Sequence, residues 1–355
     1  MTLPPSRRRL LAWATILPAT MRAGSVLAAP SPMAFAPFAE NPKLLVAGPA
    51  DGTLNRWADA LLPALQQSLP PDTSIRRVEV GSVDGVTGAN QFEVRGVPDG
   101  QTVLLAPGQA VLAWMVGDPR AKFDVARWVP VVAGTRGGLV VGRASVFASA
   151  PHARVVAPNP AGPDLASLLG LYLLGIRMDV ALGPAETDAS EKAFLQGSAD
   201  VVLLHGQRVP ERFAALQAVG AQPLFTLGTL DNNGHLVRDA AYPQVPHFTE
   251  LYTTRTGLQP TGPLYDAWCA AAAAVQLVFG MVLPQLTPAA MVALWRRAGS
   301  DAVASLGVQT VAASANVRPL AGPIATTNTA ATAASAAAIQ ELRGWLAGRL
   351  NWRPA

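Results

Sequence analysis

Two turns rich in glycine, proline and small polar residues carry the chemistry this sequence could do. The first is Gly48-Pro49-Ala50-Asp51-Gly52-Thr53-Leu54-Asn55, and the second is Pro158-Asn159-Pro160-Ala161-Gly162-Pro163-Asp164. A glycine-bearing turn between a strand and a helix lets the N–H groups of the first helical turn face a crevice, where the helix dipole favours a carboxylate. Such capture needs no side-chain cation, which suits a chain whose lysines are Lys43, Lys122 and Lys192. The candidate ligand residues are therefore Ala50, Asp51, Gly52 and Asn55 in the first turn and Asn159, Gly162 and Asp164 in the second. Gln109 and His205 join them, because each follows an apolar run that reads as a strand and would stand at its carboxyl end, beside a crevice. Asp51 would repel an anion unless it faces solvent or meets an amine, so an amino-acid-like or amide ligand stays open beside a plain carboxylate.

Each of these residues also has a purely structural use. Gly52, Gly85 and Gly88 suit turns that need positive φ. Asn55 and Asn159 can bond to nearby backbone, and Asp164 can serve as a first-turn acid. A lone histidine such as His205 is commonly structural. Enzyme signatures are missing: no Gly-x-Gly-x-x-Gly follows a strand, and there is no Gly-x-x-x-x-Gly-Lys loop, His-Glu-x-x-His pair or Gly-x-Ser-x-Gly elbow. One cysteine, Cys269, and four scattered histidines offer no zinc spacing. The expectation is a protein without metal, cofactor or catalysis. Two alternatives remain: an enzyme on a two-lobed α/β fold, or a periplasmic sensor or structural protein that has lost ligand binding.

The elements that would position these turns follow from the apolar pattern. Short apolar runs alternate with amphipathic stretches, as a mostly parallel sheet covered by helices requires. Strands are expected over 43–48, 74–80, 102–106, 128–135 and 138–142, with a helix over 54–68 and a glycine-spaced loop over 81–88. The last two strands are joined by a tight Arg136-Gly137 turn, where the chain leaves its first lobe. The second lobe repeats the grammar, with strands over 153–157, 177–182, 200–204 and 222–227 and helices over 164–174, 189–196 and after Pro210. The apolar run 267–283 contains five consecutive alanines and ends at Pro284, which fits a buried helix leading into a core strand better than a membrane span. Residues 287–299 form an amphipathic helix, 321–338 a loosely specified loop, and 334–350 a final helix.

At 355 residues, half of them apolar and 14% charged, the chain is long enough for two domains and far from a disordered composition. The net charge of +4 does not mark a nucleic-acid binder. It sits in residues 1–28, which hold Arg7, Arg8, Arg9 and Arg22 and no acid, so removing them leaves bases equal in number to the 23 acids. A basic patch, an apolar core over 10–21 and small residues ending at Ala28 make the three-part plan of a secretory signal. Ser6-Arg7-Arg8-Arg9-Leu10-Leu11 is similar to a twin-arginine export motif.

Over roughly 43–296 the sequence resembles the extracytoplasmic solute-binding receptors of the tripartite tricarboxylate transporters, the TctC or Bug family. The resemblance is carried by the first turn, by Gly85-Val86-Thr87-Gly88-Ala89 and by Pro98-Asp99-Gly100-Gln101-Thr102-Val103-Leu104. Further on it is carried by Leu195-Gln196-Gly197-Ser198-Ala199-Asp200, Tyr242-Pro243-Gln244-Val245-Pro246 and Leu283-Pro284-Gln285-Leu286-Thr287-Pro288. The sequence departs from the family pattern at Asp51, Asn55, Asp59 and the three-proline second turn. The resemblance implies an α/β fold of the type II periplasmic binding protein class: two Rossmann-like lobes joined by two crossover strands, with the ligand cleft between them. Lobe one would be 29–141 plus 229–355 and lobe two 142–228, after a signal peptide at 1–28. It also implies a monomeric periplasmic receptor for a small carboxylate, working with membrane permease subunits.

Overall fold

An apolar run and a proline turn build the first unit. Strand β1 (Lys43–Val46) buries Leu44, Leu45 and Val46, and helix α1 (Thr53–Ser68) buries Leu54, Trp57, Ala58, Leu61 and Leu65 along one face. The computed structural model describes residues 38–148, 150–158, 161–182 and 188–354; Asn159 and the signal-like residues 1–28 lie outside them. The pattern continues with β2 (Arg76–Glu79), α2 (Val86–Arg95), β3 (Thr102–Ala106), α3 (Gly108–Val116) and β4 (Trp128–Thr135). Next come β5 (Leu139–Gly142), β6 (His152–Val156), α4 (Leu165–Leu173), β7 (Arg177–Ala181) and α5 (Ala189–Leu195). After β8 (Val201–Leu204), α6 (Val209–Gln217) and β9 (Gln222–Thr226), a small hairpin pairs β10 (Thr229–Leu230) with β11 (Leu236–Val237). The chain ends with α7 (Phe248–Thr256), α8 (Pro263–Gln276), β12 (Leu277–Pro284), α9 (Ala289–Ala304), α10 (Leu306–Ala315), β13 (Arg318–Ala321), α11 (Gly322–Ala330) and α12 (Ala336–Arg349).

Two larger sheets result, both within the unit Pro37–Ala355. The six-stranded sheet has the order β13-β4-β12-β3-β1-β2, with β2, β1 and β3 parallel and β12 antiparallel between β3 and β4. The five-stranded sheet has the order β7-β6-β8-β5-β9, with β7, β6 and β8 parallel. Its β5 is antiparallel to both neighbours, pairing Leu139 with Leu204 and with Thr226. Each sheet therefore has a parallel half whose strand ends can carry helix N-termini, as an open α/β sheet requires for ligand binding. Strands β4 and β5 are not a hairpin. They lie in different sheets, so residues 136–138 form a change of sheet and not the tight turn expected from Arg136-Gly137.

The run 267–283 is a buried helix followed by a core strand. Helix α8 buries Ala267, Trp268, Ala270, Ala271, Ala272 and Ala274 and packs against α3, α4 and α12. Small side chains let these helices approach closely, and the Trp268 indole donates to Ala166 O at 3.0 Å. No described helix is long and apolar enough to cross a membrane. Residues 321–338 are corrected: they hold α11, whose Ala325 and Thr329 are buried as it packs on β4 and β13. Packing stabilises this helix where its threonine-rich sequence signals little.

Candidate functional site

The carboxyl ends of β1 and β3 point the same way, and each leads directly into a helix. The N-termini of α1 and α3 thus stand side by side at one end of the first sheet. Gly52 precedes α1 in extended conformation and uses its own amide within the turn, donating to Pro49 O at 2.9 Å. The free donors are one step further on. The backbone N–H groups of Thr53 and Leu54 find no acceptor among the described residues, and neither do those of Gly108 and Gln109 at the start of α3. All four residues line one cavity of about 320 Å³.

Gly108 is required where it stands. A β-carbon there would lie 1.9 Å from Ala274 O and 2.8 Å from Leu277 O, so α3 can seat against α8 only through glycine. Gly88 has a similar reason, since a β-carbon would meet Ala47 Cα at 2.6 Å, which accounts for this glycine by packing.

The second sheet closes the cavity from the other side. Strand β8 ends at Leu204, and His205 and Gly206 follow it into the cavity wall, with Pro163 beside them. A β-carbon at Gly206 would stand 3.9 Å from Nη1 of both Arg136 and Arg212, so two guanidinium groups flank this turn. They are used differently. Arg212 is bound to the Glu191 carboxylate and donates to His205 O at 2.6 Å and Gln207 O at 3.2 Å. The Nε of Arg136 is buried and has no hydrogen-bond partner among the described residues. Burial pulls the Arg136 guanidinium below its ordinary pKa, although the group stays charged at neutral pH. Burial pushes His205 down to about 4, helped by the positive charges of Arg212 and Arg136, so its imidazole is neutral at pH 7.

A second cavity of about 380 Å³ continues from the first and shares Val83, Gln109, Pro163 and His205 with it. Gly162, Asp164, Glu191 and Arg212 line it from the second sheet's side, and Asp84, Asp118 and Arg120 from the first. Arg120 holds Asp118 and Asp84 at 2.6 and 2.9 Å, which depresses the Asp118 pKa. Asp164 precedes α4 without capping it, and its carboxyl makes no hydrogen bond or ion pair among the described residues. Burial pushes its pKa up to about 7.

The candidates from the sequence divide accordingly. Gly52, Gln109, Gly162, Asp164 and His205 line the two cavities. Ala50 and Asp51 are exposed on the turn and line neither. Asn55 is 3% exposed and turns its Nδ2 onto Pro49 O at 2.7 Å, bracing the turn from within. Arg136 was missed because Arg136-Gly137 between two apolar strands reads as a tight turn leaving the first lobe, with no sign that its side chain faces a cavity. Helix α3 was missed, although Gln109 in its first turn was a candidate, because a helix buried nearly all round shows no amphipathic period.

Asp164 gives a stability test. With its folded pKa raised, the native state binds more protons than the unfolded state between about pH 4 and 7, so stability falls as pH rises through that window. Asp164→Asn should therefore melt about 3 °C above wild type at pH 8, with the gap closing by pH 4. The groups sharing its cavity, Asp84, Asp118, Arg120, Glu191 and Arg212, are common to both proteins. Melting curves at the two pH values check this, and a constant gap would contradict it.

No protein-family model matches the chain, and no curated protein matches it. Solved structures do. A TctC solute-binding protein from Polaromonas superposes with a TM-score of 0.62 at 16% identity, over 86% of this chain and 97% of that one. The periplasmic binding protein BugD matches with a TM-score of 0.46 at 12% identity, over 87% and 96% of the two chains. An R. palustris protein with adipate matches at 0.47 and 14%, over 86% and 97%. With its two sheets and the cleft between their strand ends, the chain has the periplasmic binding protein fold of the TctC solute-binding proteins.

Proposed function

We propose that this chain is an exported, monomeric solute-binding protein of the TctC/Bug family, with two lobes that close on a small carboxylate-bearing metabolite and present it to the permease of a tripartite tricarboxylate-type transporter. The observation that carries this reading is Arg136, which lines the same cavity as the open N–H groups of two helix N-termini and whose Nε is buried without a partner among the described residues. A partly desolvated cation left unpaired is costly, and a ligand carboxylate would satisfy it and the amides together. The neutral His205 and the apolar side chains of Leu112, Val275 and Val278 complete a pocket that suits a small anion with a hydrocarbon body. The signal-like order of residues 1–28 supports export, and the fold supports binding without catalysis.

The test is a thermal-shift screen of protein recovered from the periplasmic fraction, whose intact mass should lack residues 1–28. The panel holds di- and tricarboxylates, aromatic carboxylates, amino acids and amides. A ligand present at about 100 times its Kd should add about 2.7 kcal/mol, or roughly 3–6 °C. A flat response across every class would remove the receptor reading in favour of a protein that kept the fold and lost its ligand.

A further inference from the structure

The two compartments of the cleft differ in charge. Among the described residues the inner one holds a single charged side chain, Arg136, beside a neutral His205. Among the described residues the outer one holds four carboxyl groups, Asp84, Asp118, Asp164 and Glu191, against two guanidinium groups, Arg120 and Arg212. Arg120 is occupied by Asp84 and Asp118, and Arg212 by Glu191. Asp164 is left over. Among the described residues the cleft thus contains one cation and one acid that the fold leaves unpaired, in adjoining compartments and not bonded to each other. Between them the shared wall is made of Val83, Gln109, Pro163 and the neutral His205, with no charged side chain among these four.

Two opposite charges held in adjoining compartments, with an uncharged wall between them, match a ligand that carries opposite charges at its two ends. We propose that the cleft selects an ω-amino carboxylate, with the carboxylate inward on Arg136 and the helix N-termini and the ammonium outward on Asp164. The proposal rests on the solute-binding reading and specifies its substrate class. A dicarboxylate of the same length would place its second charge among the outer carboxyl groups, where like charges repel. A monocarboxylate would leave Asp164 unanswered. An ammonium beside Asp164 would also favour the ionised form of that half-buried acid.

Calorimetric titration with length-matched sets tests it: 4-aminobutyrate, succinate and butyrate, then 6-aminohexanoate, adipate and hexanoate. At one length or the other the amino carboxylate should bind at least tenfold more tightly than both partners in its set. In Asp164→Asn that preference should collapse to less than about threefold, whereas Arg136→Met should weaken all members of a set alike. Asp164→Ser serves as the second variant should the asparagine protein not fold. Dicarboxylates binding as well as amino carboxylates at both lengths, or a preference unchanged in the Asp164 variants, would overturn the proposal while leaving a carboxylate receptor intact. No binding by any of the six compounds, with a response elsewhere in the wider screen, overturns it as well. No binding anywhere removes both readings.

Discussion

Arg136→Met should raise the Kd for any carboxylate ligand at least 30-fold, while the ligand-free protein melts at or above the wild-type temperature. The two halves have one cause. Without ligand the guanidinium is partly desolvated and its Nε has no partner among the described residues, so its removal relieves a cost. In the complex the same group faces a carboxylate in a water-poor cavity, where deleting one partner of a charge pair costs about 2 kcal/mol or more. Arg136→Lys should recover part of the affinity, because an ammonium keeps the charge and loses the planar fork. Calorimetry and a melting curve on the three proteins decide it. A loss of binding accompanied by a lower melting temperature would make Arg136 structural, and unchanged affinity would move the ligand elsewhere.

Gly108→Ala is expected to have the largest effect on stability. The added methyl would stand 1.9 Å from Ala274 O and 2.8 Å from Leu277 O, both backbone atoms of buried elements that cannot swing aside as a side chain could. Overpacking of this kind costs about 3 kcal/mol, enough to lower the melting temperature by roughly 5 °C or more. Binding should suffer as well, since the shift displaces the α3 N–H groups from the cavity. Gly344→Ala is the control. Gly344 lies in the exposed interior of α12 with nothing within 4 Å of its would-be β-carbon, so alanine should gain up to about 1 kcal/mol there. Equal melting temperatures for the two variants would mean that α3 does not sit against α8 as described.

How much of this was legible depends on which force shaped each element. Strands β1, β3, β6 and β8 are short apolar runs, and α1 shows Leu54, Trp57, Leu61 and Leu65 on one face, so hydrophobic pattern alone locates them. Helix α3 is different: seven of its nine residues are buried, and the period that would mark it is erased. Helices α7, α10 and α11 and strand β13 carry weak local signals and form because tertiary packing favours them. The site was half visible. Glycine turns and strand ends pointed to Gly52, Gln109, Gly162, Asp164 and His205, because local geometry places such residues at a crevice. The decisive cation was not visible, because Arg136 gains its role from a change of sheet between β4 and β5. Asp164, read as a first-turn acid, stands one residue before α4, and its carboxyl makes no cap bond.

A crystal structure of the protein with the tightest ligand from the screen tests the central claim most directly. The account predicts one ligand between the two sheets, with carboxylate oxygens within about 3.2 Å of the Arg136 guanidinium and of the N–H groups that open α1 and α3. A carboxylate bound elsewhere on the chain, or seated in the cleft with Arg136 turned away from it, would contradict it.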